Sequence, residues 1–273
     1  MAALPPGRER IAAAFRQAQE AGAAALMPYY TLGYPDRETA LDVVAAIAPY
    51  SDLLELGVPF SDPLADGPTI QHSTQKALEA GTTTAACLEM VRELRRRGVH
   101  TPALLMGYVN PILAYGEARY VEDAAAAGAD GFIIPDLPPE EAETLEALAV
   151  AAGLVLIHFL APTSNLRRIA TVARRARGFV YLVSLTGVTG ARSRLSEDLE
   201  SFVRRVRAHT TAPLAVGFGI STPQQAAQVG AFADGVIVGS ALINAVDTAD
   251  NKAEAAAAFV RALRNGLRGE GVA

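Results

Sequence analysis

The sequence predicts an α/β chain folded as a (β/α)8 barrel, with an extra N-terminal helix and short extra helices. Three observations predict it. Short apolar runs recur eight times, at Leu26–Thr31, Asp52–Leu56, Ala103–Met106, Gly131–Ile134, Leu154–His158, Phe179–Val183, Leu214–Gly217 and Gly235–Val238. Stretches rich in Ala, Leu, Glu and Arg, with helical spacing of their apolar residues, separate these runs. The runs themselves are almost continuously apolar, as strands covered on both faces are. Eight such cycles in roughly 250 residues match a closed parallel barrel. An open doubly wound sheet is the alternative, and the even cycling argues against it.

Element by element, the local signals agree. Gly7–Glu20 reads as a leading amphipathic helix with Ile11, Phe15, Ala14 and Ala18 inward. Pro35-Asp36 opens a helical stretch ending near Pro49, and Thr83 or Thr84 precedes another at Cys87–Arg97. In the latter, Leu88, Val91 and Leu94 share one face, so Arg92, Arg95, Arg96 and Arg97 are expected on a solvated basic face. Pro138-Pro139-Glu140-Glu141 places prolines and acids in an expected first turn, and Ser221-Thr222-Pro223 is a cap followed by proline. No low-complexity linker interrupts the pattern, so residues 1–273 are expected to form one domain.

The bulk numbers narrow the function classes. The chain has 273 residues and is 51% hydrophobic, enough for a full core without covalent staples. A net charge of −5 gives no argument for nucleic acid or an anionic membrane. The single cysteine, Cys87, cannot form an internal disulfide, and its helical setting suggests a buried small side chain. Arg8, Glu9 and Arg10 interrupt the start before an apolar run develops, and no stretch reaches a membrane span. A cytoplasmic protein is expected.

Barrel chemistry belongs at the C-terminal ends of the strands. After the second run come Glu55, Asp62 and Asp66, across a loop stiffened by Pro59, Pro63 and Pro68. An ionised carboxylate among leucines is costly, so Glu55 is either a structural acid hydrogen-bonded to backbone or a working group. Glu55 should favour its neutral form and Asp66 should ionise more easily, a split that suits acid/base work. After the sixth run, Ser184–Arg194 is long and carries Gly187 and Gly190, as a mobile lid or a binding loop would. Gly217-Phe218-Gly219 and Gly239-Ser240, the latter opening a short helix, match the phosphate site recurrent in barrels. The two lysines, Lys76 and Lys252, fall away from strand ends, which argues against Schiff-base chemistry. His100 and His209 precede strands, His158 ends one alone as a satisfied core histidine would, and no metal-ligand cluster emerges. Tyr29, Tyr30 and Tyr108 read as core residues. Tyr181 is the better functional candidate, because its hydroxyl could reach Glu55 or a ligand.

The stretch Leu54-Glu55-Leu56-Gly57-Val58-Pro59-Phe60-Ser61-Asp62-Pro63-Leu64-Ala65-Asp66-Gly67 closely resembles the signature of the tryptophan synthase alpha subunit family. Thr31-Leu32-Gly33-Tyr34-Pro35, Pro135-Asp136-Leu137-Pro138, Gly187-Val188-Thr189-Gly190, Gly217-Phe218-Gly219-Ile220 and Gly239-Ser240 extend the resemblance over nearly the whole chain. It implies a (β/α)8 barrel that cleaves indole-3-glycerol phosphate to indole and glyceraldehyde 3-phosphate, with no cofactor of its own. By the same resemblance, Glu55 is the general acid/base, Asp66 stabilises charge at the indole N–H, and Tyr181 supports Glu55. Gly190, Gly219, Gly239 and Ser240 form the phosphate cradle, and Gly187 and Thr189 belong to the lid. A pyridoxal-phosphate beta subunit is the implied partner in an alpha2-beta2 heterotetramer, met around Pro59, Asp62 and Asn110. Some members carry Arg where this chain has Leu185, which bears on lid closure rather than chemistry. Fold and cradle alone would also suit a phosphosugar isomerase or a silent activating subunit. The acid loop argues against the first, and the presence of both Glu55 and Asp66 against the second.

Overall fold

Eight short parallel strands close into a ring in the computed structural model, which describes residues 5–183, 192–217 and 219–270, without the side chains of 192–197. The expectations for Leu185, Gly187, Thr189 and Gly190 lie outside the described residues. The chain opens with α1 (Gly7–Glu20), β1 (Ala25–Thr31), α2 (Arg37–Ile47) and β2 (Leu54–Gly57). Two helices, α3 (Pro68–Glu79) and α4 (Thr84–Arg96), lead to β3 (Ala103–Met106). Then come α5 (Val109–Tyr115), α6 (Glu117–Ala127), β4 (Gly131–Ile133), α7 (Glu143–Ala151), β5 (Val155–Leu160), α8 (Leu166–Arg175) and β6 (Val180–Val183). The last part holds α9 (Arg192–Arg207), β7 (Leu214–Gly217), α10 (Pro223–Gly230), β8 (Gly235–Val238), α11 (Ser240–Asp247) and α12 (Lys252–Leu267). Each strand pairs with the next, and β8 returns to β1, so no sheet edge is left open.

Strand periodicity sorts side chains into two cores. Ala25, Met27, Leu53, Leu104, Ile133, Val155, Ile157, Phe179, Ala215 and Ile237 pack together inside the ring. Ile11, Ala14, Phe15 and Ala18 of α1 join that same cluster, with Phe15 and Phe179 ring centroids 5.6 Å apart. The leading helix therefore plugs the N-terminal mouth, as its apolar face predicts, and leaves the C-terminal mouth for chemistry. Alternate strand residues such as Leu26, Tyr30, Leu54 and Leu56 face outward under the helices. Asp36, Thr83 and Thr222 each cap their helix by accepting from a backbone N–H three residues on.

The N-terminal face repeats one device three times. Asp52, Asp130 and Asp234 accept from the backbone N–H of Leu26, Ala103 and Leu214, at 2.7, 2.8 and 2.7 Å. Each acid lies just before its own strand and ties down the preceding one. Each also meets arginine. Arg264 lies 2.7 Å from Asp52, Arg95 lies 2.9 Å from Asp130 with Arg10 on its other oxygen, and Arg207 pairs with Asp234.

Two local expectations change. Arg95 does not join a solvated basic face; its side chain is 4% exposed. Besides Asp130 it donates to the carbonyls of Gly128, Val99 and Thr101, so a charged head is buried where it finds acceptors. The helix expected to open on Pro138-Pro139 begins instead at Glu143. Glu141 N and Ala142 N bond back to the carbonyls of Pro138 and Pro139, which spends those residues in a turn.

Candidate active site

A cavity of about 230 Å³ opens at the C-terminal ends of the strands, and both Glu55 and Asp66 line it. Glu55 stands on β2, beside Tyr29 of β1 and Leu104 of β3 in register. It is 1% exposed, and neither carboxylate oxygen has a hydrogen-bond partner among the described residues. A structural acid would be bonded to backbone; this one is not. Burial, and then the charge of Asp66, push its pKa up to about 8. Burial raises Asp66 to about 6, opposed by a hydrogen bond from Tyr108. The expected split between the two acids is present, with Glu55 the more basic.

Asp66 is held by a residue read from sequence as core. Tyr108 Oη donates to Asp66 Oδ2 at 2.9 Å and accepts from Ala65 N at 3.0 Å, so it grips two points of one loop. Its ring packs on Phe60 at 5.5 Å. Tyr108 lies 42 residues from Asp66, and the only signal for it is its place just past a strand end. Tyr29, also read as core, lines the cavity. Tyr181 lines it too, its ring 4.6 Å from that of Phe159. Burial, and then the charge of Glu55, raise its pKa. Among the described residues no hydrogen bond joins the Tyr181 hydroxyl to the Glu55 carboxylate. The Tyr181 hydroxyl lies over Gly217, where a Cβ would collide with it.

Part of the cavity wall is glycine and helix terminus. Gly219 lines the cavity with φ +76, a conformation that favours glycine. Gly239 is the N-cap of α11 and Ser240 its first residue, so the first N–H groups of that helix have no intrahelical acceptor. Ser221 and Asn244 line the same end and were not singled out by sequence. Asn244 stands one turn after Ser240, so only the helix places it there. Among the described lining residues there is no lysine, arginine or histidine, and backbone N–H groups with the polar side chains of Ser221, Ser240 and Asn244 are placed to receive an anion. Of the surface expected to meet a partner, Asp62 and Asn110 are exposed, whereas Pro59 is buried.

A model of the family described as tryptophan synthase alpha chain matches residues 15–268. The chain belongs to this family. The tryptophan synthase alpha chain of Chloroflexus aurantiacus is 52% identical over 257 residues, covering 93% of this chain and 97% of that one. That of Geobacter sulfurreducens is 50% identical over 261 residues, covering 94% and 98%. Among solved structures, tryptophan synthase subunit alpha from Legionella pneumophila superposes with a TM-score of 0.89 at 37% identity, covering 95% and 98%. Mycobacterium tuberculosis tryptophan synthase gives 0.87 at 38%, covering 95% and 98%. As a member of this family, the chain is a lyase of tryptophan biosynthesis that cleaves indole-3-glycerol phosphate. Family membership decides against the phosphosugar isomerase.

Proposed function

We propose that Glu55 and Asp66 carry out this cleavage, with the phosphate held at the far end of the cavity. The observation that carries the reading is a buried carboxylate with neither oxygen partnered among the described residues, facing a cavity shared with a second acid. Near neutral pH Glu55 is largely protonated and Asp66 largely ionised. Glu55 gives its proton to indole C3, and the positive charge this creates on the ring nitrogen is stabilised by Asp66 at the N–H. The Glu55 carboxylate then takes the proton of the hydroxyl on the adjacent glycerol carbon. The carbon–carbon bond breaks, its electron pair returns to the ring, and the hydroxyl carbon becomes the aldehyde. Glu55 ends protonated as it began. Proton transfer by a positioned group typically contributes ~10²–10⁴-fold. Tyr181 and Tyr29 wall the reacting centre. Gly219, Gly239 and Ser240 receive the phosphate through N–H groups, together with Gly190 from the loop outside the described residues.

The chain acts without a cofactor of its own, as one cytoplasmic domain. No described helix is long and apolar enough to cross a membrane. Its partner is a pyridoxal-phosphate beta subunit in an alpha2-beta2 assembly. The docking surface is supported by exposed Asp62 and Asn110, by Leu64 at 93% exposure in the same loop, and by Leu113 at 54% exposure one turn after Asn110. Indole release from indole-3-glycerol phosphate, measured with and without beta subunit, tests the reading. Glu55→Gln should fold normally and lose cleavage by at least ~100-fold; turnover near wild type in that variant would sink it.

A further inference from the structure

One chain of buried hydroxyls runs from the cavity wall into α3. Tyr29 Oη lies 3.2 Å from Thr31 Oγ1, Thr31 Oγ1 lies 2.7 Å from Ser73 Oγ, and Ser73 Oγ donates to the Ile70 carbonyl at 2.9 Å. Tyr29 is 6% exposed, and Thr31 and Ser73 are fully buried.

Proton counting fixes the direction of this chain. A hydroxyl has one proton, and a carbonyl only accepts. The Ser73 proton goes to Ile70, so Thr31 must donate to Ser73, and Tyr29 must donate to Thr31. Tyr29 is thereby committed and is not a proton donor to either carboxylate. Its ring is also boxed in. A Cβ on Gly57 would collide with its hydroxyl, and a Cβ on Gly239 would already touch its own Cβ at 3.4 Å.

Both carboxylates connect to this chain. Glu55 pairs with Tyr29 in register. Ser73 stands on the second turn of α3, which begins two residues after Asp66, and the Asp66 carbonyl accepts from Gln71 of that helix at 2.9 Å. We propose that Tyr29, held through Thr31 and Ser73, is a positioning residue that fixes α3, and so Asp66, relative to Glu55. The proposal rests on the reading of these two acids as the reacting pair.

The test uses the full chain with Tyr29→Phe, Ser73→Ala and the double variant, with two readouts. In steady-state cleavage each single variant should lower kcat about tenfold with little change in KM, as a misplaced acid pair would. The double variant should be no worse than Tyr29→Phe, since one break already disconnects the chain. In carbon-13 NMR of labelled carboxyl groups, the Glu55 and Asp66 titrations should shift in both single variants. Wild-type kcat together with unmoved carboxyl titrations overturns the proposal, even if thermal stability falls. If the wild-type chain does not cleave the substrate, the acid-pair reading fails, and unmoved titrations in Ser73→Ala would still overturn the positioning role.

Discussion

The role proposed for Glu55 rests on β2 placing its carboxyl at the cavity with no hydrogen-bond partner among the described residues. Its neighbours in register are Tyr29 and Leu104, and its neighbours in sequence are leucines, so only burial and the charge of Asp66 set its proton affinity. A pH profile follows. Asp66 must be ionised and Glu55 protonated, so cleavage should rise with pH through about 6 and fall through about 8. Asp66→Asn removes the like charge next to Glu55, so the falling limb should move to lower pH as activity drops. The pH dependence of kcat/KM in both proteins checks this, and an unmoved upper limb would separate the two acids. At this scale the sequence was largely legible. A carboxylate inside an apolar run, and another in a proline-stiffened loop, mark themselves. Tyr108 does not, because its role depends on a hydrogen bond to a residue 42 positions away.

At the scale of elements, the strands are held in place from below. Burial pushes the Arg95 guanidinium down to about 10 and raises the Asp130 carboxyl despite their contact, so desolvation weighs heavily on both. Removing one partner leaves the others charged and buried. Asp130→Asn should therefore lower stability by ~3–5 kcal/mol, read from urea unfolding. Glycerol phosphate binding by the folded variant should stay at the wild-type level, because Asp130 precedes β4 at the face opposite the cavity. Sequence patterning located all eight strands and several of the helices, since apolar runs and the 3.6-residue period are local. It misplaced the start of α7, where consecutive prolines satisfy a turn as readily as a first helical turn. It also put Arg95 in solvent, because a long side chain on a charged stretch gives no local sign that the carbonyls of Gly128, Val99 and Thr101 and an aspartate await it.

Across the whole molecule, the two mouths of the barrel divide the work. The plug of α1 and the aspartate–arginine clusters close one end, and the acids, tyrosines and helix N-terminus shape the other. The β2–α3 loop serves two purposes there: Asp66 points into the cavity while Leu64 points out. Leu64→Asp should weaken association with a beta subunit by roughly 1–3 kcal/mol, in line with loss of one apolar contact from an interface. Indole release by the isolated chain should be unchanged. Titration calorimetry and the assay without partner read the two effects separately.

The sequence by itself determined the barrel, the family, the acid pair and the glycine-bearing strand ends. These rest on local patterning and on one long motif, and a motif specifies residues wherever they come to lie. Tertiary structure alone decided which tyrosine grips which acid, that Glu55 has no partner among the described residues, and that Tyr29 is tied to α3 through Thr31 and Ser73. It also decided that Pro59 is covered while Asp62 and Asn110 stay open. The physical reason is closure of the ring. Residues far apart in the chain become neighbours only when eight strands fix their stagger, and hydrogen bonds between them leave no periodic trace in the sequence.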